Sequence, residues 1–160
     1  MLEASLQLWI DADACPAQIK NIICKAADKR LVRTVFFANH HIALPKSAHI
    51  VFQLVAKGFD VADREILALV NSGDLVVTQD IPLASEVIER GAVAINPRGT
   101  LYTPDNMHGH LVRRNRAEEM RALGVQSGGP EPFGPKHAQA FAQAFDKLLT
   151  HQLAKFPSKL

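Results

Sequence analysis

Apolar runs alternate with polar, helix-spaced stretches along most of this chain, and the alternation keeps a regular order. "LQLWI" (6–10) reads as a short apolar strand. Behind it Ile19, Ile22, Ile23, Ala26 and Ala27 recur at helical spacing, while Lys20, Lys25 and Lys29 fall elsewhere. Pro16 suits the first turn of that helix, where a missing N–H costs nothing. "TVFFA" (34–38) and "HIVFQLVA" (49–56) are rich in β-branched and aromatic residues and predict two more strands. Between them "NHHIALPKS" carries Pro45 as a breaker. From Asp60 a helix follows, with Val61, Ile66, Leu69 and Val70 on its apolar face and its end near Gly73. "LVVT" (75–78) predicts a buried strand, "QDIPLASEVIERG" a helix with Pro82 near its start and Gly91 at C′, and "AVAI" (92–95) a fifth strand. "NPRG" then makes a turn.

Strands separated by helices of this length imply right-handed crossovers. The expected fold is therefore α/β: a mostly parallel sheet of about five strands with helices on both faces. The remainder differs. "TPDNMHGHLVRRNRAEEMRALG" predicts a helix with Thr103 as N-cap and Pro104 behind it. "VQSGGPEPFGP" holds three prolines and three glycines in eleven residues and reads as a loop. "KHAQAFAQAFDKLL" closes the chain as an amphipathic helix with Phe141, Phe145 and Leu148 on one side, facing the core or a second copy of the chain. The organisation expected is one domain over 1–160, with a C-terminal helical extension over about 103–155.

Composition narrows the function classes. At 160 residues the chain can bury roughly 68–70% of its unfolded surface, so a core forms without disulfides or structural metal. Lys and Arg number 18 against 16 Asp and Glu, so net charge does not mark a nucleic-acid binder and the distribution of charge decides. Two cysteines, Cys15 and Cys24, without a CxxC pair suit a reducing compartment. The N-terminal "MLEASLQLWIDADA" has no basic region and an interrupted apolar stretch, unlike a signal peptide, and no run approaches the roughly 18 residues of a membrane span. The expectation is a cytoplasmic protein without membrane contact.

In a parallel sheet, ligands bind outside the carboxyl ends of the strands. Asp11 and Asp13 lie just past the first strand, Asp80 just past "LVVT", and Asp60 and Asp63 at the start of the helix that feeds it. Gathered carboxylates repel and resist ionisation unless a cation neutralises them. Hard ions such as Mg²⁺ or Mn²⁺ fit such oxygen donors and can polarise a phosphoryl oxygen and activate water. The reaction class expected is phosphoester hydrolysis. Each acid also has a plain structural explanation. Asp13 and Asp80 could cap helices, and Asp60 and Asp63 have capping-box spacing. Asp11 is hardest to explain that way, because a carboxylate on the end of a buried strand stabilises little by itself.

"WIDADACP", "GFDVADREIL", "GDLVVTQDIPLA", "NPRGTLYTPDN" and "SGGPEPF" resemble the bacterial YaiI/YqxD family of uncharacterised proteins, over residues 8 to about 149. That family is similar in turn to PIN-like domains, three-layer α/β folds among which many are Mg²⁺- or Mn²⁺-dependent ribonucleases. The resemblance implies Asp11 as the acid ending the first strand, Asp63 (or Asp60 in its place) as the acid on the central helix, and Asp80 after Thr78 as the acid of a strand-end T-x-D element. Their implied roles are metal ligation, with one acid orienting or deprotonating the attacking water. A clear fourth acid downstream is missing unless Asp13 substitutes for it.

Other residues carry a chemical reading. Arg113, Arg114 and Arg116 could hold an RNA backbone, or form a solvated helix face, since Glu118 and Glu119 follow at once. Arg98 is the better phosphate candidate, because it follows a strand end on the same edge as the acids. Asn39, past the second strand, could orient substrate or open a turn. His40, His41, His108 and His110 lack zinc-type spacing and read as exposed loop residues. Cys15 sits where a helix N-terminus could lower its pKa, although a buried bystander is the simpler reading.

Three functions compete at this level. One is a metal-dependent nuclease acting on RNA. Another is a phosphatase of the haloacid-dehalogenase type with Asp11 as nucleophile and Asp13 as general acid, although no lysine falls between Lys57 and Lys136 to complete it. The last is a non-catalytic module binding nucleic acid or protein.

Overall fold

Successive residues of the central strands point to opposite faces, and both faces are apolar, so the sheet demands a helical layer on each side. The computed structural model describes residues 5–58, 61–125 and 131–157. Its strands are β1 (Leu8–Asp11), β2 (Thr34–Ala38), β3 (Ile50–Leu54), β4 (Leu75–Val77), β5 (Val93–Ile95) and β6 (Leu101–Tyr102). Its α-helices are α1 (Ala17–Arg30), α2 (Val61–Leu69), α3 (Ile81–Glu89), α4 (Pro104–Ala122) and α5 (Pro135–Lys155), with a 3-10 turn at Ala12–Ala14. The strands form one sheet in the order β3-β2-β1-β4-β5-β6, parallel except for the antiparallel β5–β6 pair.

Two cores follow from the alternation. Leu8, Ile10, Phe36, Leu75, Val77 and Ile95 pack with Ile19 and Ile23 of α1 and with Phe141, Phe145 and Leu149 of α5. Their strand neighbours Trp9, Val35, Phe37, Val76 and Ala94 pack with Ile66 of α2, Leu83 and Val87 of α3 and Met107 of α4. The result is the expected three-layer α/β architecture.

Two sequence expectations sharpen. The sheet of about five strands gains a sixth, β6, which is only two residues long and shows no periodicity to read. It forms because the Asn96 side chain reverses the chain, accepting from the backbone N–H of Arg98 at 2.9 Å and of Thr100 at 3.0 Å. In the same turn Gly99 takes φ +92, and a Cβ there would come within 2.8 Å of the Ala140 backbone. Only glycine lets this turn lie against α5.

For the last helix, the core is the one of its two expected partners that it meets here. α5 is a structural layer: Phe141, Phe145 and Leu149 are 0%, 1% and 0% exposed and fill one core, so its aromatic face is taken up within the chain. The helix also runs on to Lys155, and buried Gln152 donates to the Gly73 carbonyl at 2.9 Å.

The strand order positions the site. From β1 the chain steps outward to β2 and β3, then returns to lay β4 on the other side of β1. Diverging crossovers leave a crevice at the carboxyl ends of β1 and β4, the usual ligand position in an open parallel sheet.

Candidate functional site

Asp11 is the last residue of β1 and pairs in register with Phe37 of β2. On its other side the Thr78 hydroxyl donates to Asp11 Oδ2 at 3.0 Å and accepts the Asp80 backbone N–H at 2.9 Å. One hydroxyl thus holds the two strand-end acids in fixed relation. Thr78, the threonine of the T-x-D element and a candidate substrate contact from sequence, is 0% exposed, and its hydroxyl meets the two acids.

These acids open into a cleft of about 210 Å³ lined by Asp11, Asp13, Asn39, Gly58, Asp63 and Asp80, with Val55 and Val61 among its apolar walls. Four of the five acids singled out from sequence therefore share one cavity. The fifth, Asp60, lies outside the described residues. Asp63 reaches the cleft from the first turn of α2.

The capping alternatives separate. Asp80 does cap α3, its Oδ1 accepting the Leu83 N–H at 3.0 Å, while still lining the cleft. Asp13 does not cap α1, which starts behind Pro16 without a side-chain cap. Its two oxygens instead accept the Asn39 backbone N–H at 3.1 and 3.0 Å, and His40 Nδ1 lies 3.2 Å away. Asp13 ties the turn after β1 to the end of β2 through the Asn39 backbone, and Asn39 lines the cleft beside it.

Burial pushes the Asp11 carboxyl above the usual carboxylate range; the charges of Asp13 and Asp80 push the same way, and the Thr78 hydrogen bond opposes them. That is the condition a cation relieves. Among the described residues no three His, Cys, Asp or Glu side chains converge closely enough to form a cation cage. Carboxylate oxygens such as those of Asp11 and Asp80 suit a hard ion that keeps most of its waters and takes one or two carboxylates directly, as Mg²⁺ does.

The remaining candidates lie outside this cleft. Arg114 pairs with Glu118 at 3.0 Å and Arg113 Nη2 lies 3.3 Å from His110 Nδ1, both on α4 and neither lining the cleft. Arg98 turns toward α5, with Nη1 3.1 Å from His137 Nε2. Cys15 and Cys24 are buried free thiols. Burial pushes Cys15 up to about 12 and Cys24 up to about 11, the opposite of nucleophile activation.

Two residues escaped the sequence reading. His137 was passed over among the histidines, although its place three residues after Gly134 at a helix start is capping-box spacing. Asp74 is 1% exposed at the opposite edge of the sheet. It accepts from Trp9 Nε1 at 2.8 Å, Asn71 N at 2.9 Å and Gln7 N at 3.1 Å. Nothing local in "SGDLVV" announces that network, because its donors are brought together by folding.

Among the described residues no helix is long and apolar enough to cross a membrane. Residues 9–151 match the model of a family described as uncharacterised, the YaiI/YqxD family. The chain is 52% identical over 144 residues to the UPF0178 protein DP1304 of Desulfotalea psychrophila, covering 90% of this chain and 97% of that one. It is 51% identical over 152 residues to a UPF0178 protein of Dechloromonas aromatica (95% and 99% covered) and 48% over 150 residues to one of Marinobacter nauticus (94% and 100%). No solved structure gives a significant match. With a family model spanning nearly the whole chain and relatives alike from end to end, the protein belongs to the YaiI/YqxD family.

Proposed function

We propose that the protein is a metal-dependent phosphodiesterase acting on RNA, built on the PIN-like plan that its motifs resemble. One observation carries the reading: four carboxylates, Asp11, Asp13, Asp63 and Asp80, line a single cleft at the switch point of a parallel sheet. Acids gathered this way, with burial holding Asp11 above its ordinary range, serve chemistry better than stability.

Asp11 and Asp80 are the residues that would hold Mg²⁺ or Mn²⁺, being linked through one Thr78 hydroxyl. When bound there, such an ion would neutralise the carboxylate charge and supply Lewis-acid polarisation of a phosphoryl oxygen. Asp63, entering from α2, is placed to orient an attacking water or take its proton. Asp13 holds the Asn39 backbone with both oxygens and so shapes the wall. That engagement makes it a poor general acid for the phosphatase alternative.

The test is hydrolysis of RNA by purified protein with Mn²⁺ or Mg²⁺. We expect Asp11→Asn and Asp80→Asn each to lower the rate by more than about 100-fold, beyond what loss of an outer-shell partner costs. Asn retains the cap on α3, so a loss in Asp80→Asn is not a folding effect. Activity untouched by both substitutions would overturn the assignment.

A further inference from the structure

Where the turn after β5 meets the first turn of α5, two side chains stand in a hydrogen-bonding conflict. The Gly134 N–H donates to His137 Nδ1 at 2.8 Å, which leaves the proton of the neutral ring on Nε2. Arg98 Nη1 lies 3.1 Å from that same Nε2, and a guanidinium can only donate. The other tautomer moves the clash to Gly134, and the protonated ring faces a donor at each nitrogen. No protonation state of His137 satisfies both neighbours.

An oxyanion accepting from Arg98 and from Nε2–H at once resolves the conflict. A nearby carboxylate, Glu131, does so poorly: its Oε2 is 3.8 Å from Nε2, beyond hydrogen-bond range, and its Oε1 is held by Lys136 at 2.7 Å. The two donors are also pre-set. Arg98 stands on the Asn96-braced turn that Gly99 seats against α5, and its guanidinium lies 5.8 Å from the Phe133 ring centroid. The His137 side chain is only 13% exposed and packs against the same ring at 5.5 Å. The amino end of α5 adds partial positive charge.

We propose that Arg98 and His137 form a phosphate-binding site that takes a backbone phosphodiester of a nucleic-acid strand, away from the bond being cut. Its assignment to the substrate strand rests on the hydrolase reading above; its affinity for phosphate does not. Arg98 follows β5 at the same carboxyl edge as the acids, two strand steps from β1, or about 10 Å across the sheet.

The test uses Asp11→Asn protein with a chelator, so that nothing is cut, and follows the His137 ring and Arg98 guanidinium by NMR during titration with inorganic phosphate. We expect saturable shifts at both groups, binding weakened at least tenfold in Arg98→Gln and His137→Gln, and tighter binding in Glu131→Gln. Gln at position 137 can still accept the Gly134 N–H, so the start of α5 is kept, and thermal melting checks it. An uncleaved RNA oligonucleotide should displace phosphate from the same groups. Unmoved signals, or equal binding by Arg98→Gln, would overturn the site. Phosphate binding that the oligonucleotide does not displace would overturn the strand as its occupant. If phosphate binds but wild-type protein cuts no RNA, the hydrolase reading falls and the anion site stands. If wild type cuts RNA and Arg98→Gln leaves KM unchanged, the hydrolase stands and the subsite falls.

Discussion

Asp11 carries a cost at the residue scale that makes a measurable signature. Burial and the charges of Asp13 and Asp80 raise its folded-state pKa above the unfolded value. The native state therefore holds this proton more tightly than the unfolded chain does, and stability falls as pH rises through the interval between the two values. Asn keeps an acceptor for the Thr78 hydroxyl and removes the charge. At pH 7 in chelator Asp11→Asn should therefore melt higher than wild type. Below the ordinary carboxylate range the difference should vanish. Differential scanning calorimetry from pH 3 to 7 checks both statements, and a variant that melts lower at every pH would refute them.

Elements are joined here by polar contacts that bridge distant stretches of sequence. Asp74 gathers N–H groups from Gln7, Trp9 and Asn71, tying β1 to the start of β4. Asp74→Ala leaves one buried donor, the Trp9 indole N–H, and two part-buried backbone N–H groups without their acceptor, and the buried one alone costs about 1–3 kcal/mol. Urea denaturation should show a loss of about 1–3 kcal/mol, while the RNA hydrolysis proposed above stays as in wild type for the folded fraction, because the network sits at the edge opposite the cleft. This kind of contact marks where sequence reading stops. β1, β2 and β4 were legible from their apolar runs, and Asp11 and Asp80 from standing at or just past the ends of two of them. The Thr103 cap on α4 was legible too, being written within four residues and confirmed as a capping box with Asn106. The Thr78 bridge to Asp11 spans 67 positions and the Arg98–His137 contact spans 39, and no local period encodes either. β6 failed for the opposite reason: two residues are too few to hold a pattern, and a side-chain-built turn decides their direction.

For the molecule as a whole, the sheet order puts both proposed sites on one rim while α1 and α5 pack on one face and α2, α3 and α4 on the other. The two cysteines sit within that packing, and their consequence is practical. With both thiols buried and held protonated, iodoacetamide at pH 7.5 should leave the native chain unmodified and alkylate two positions once it is unfolded, as intact-mass spectrometry would count. Native protein that gained a label would contradict the buried placement. The wild-type background is thus already silent to thiol chemistry. A single cysteine placed at Leu123, which is 77% exposed beyond the end of α4, would accept a fluorophore or spin label without first removing Cys15 or Cys24. The core keeps the molecule's own thiols out of view, and so leaves its surface open to be written on one position at a time.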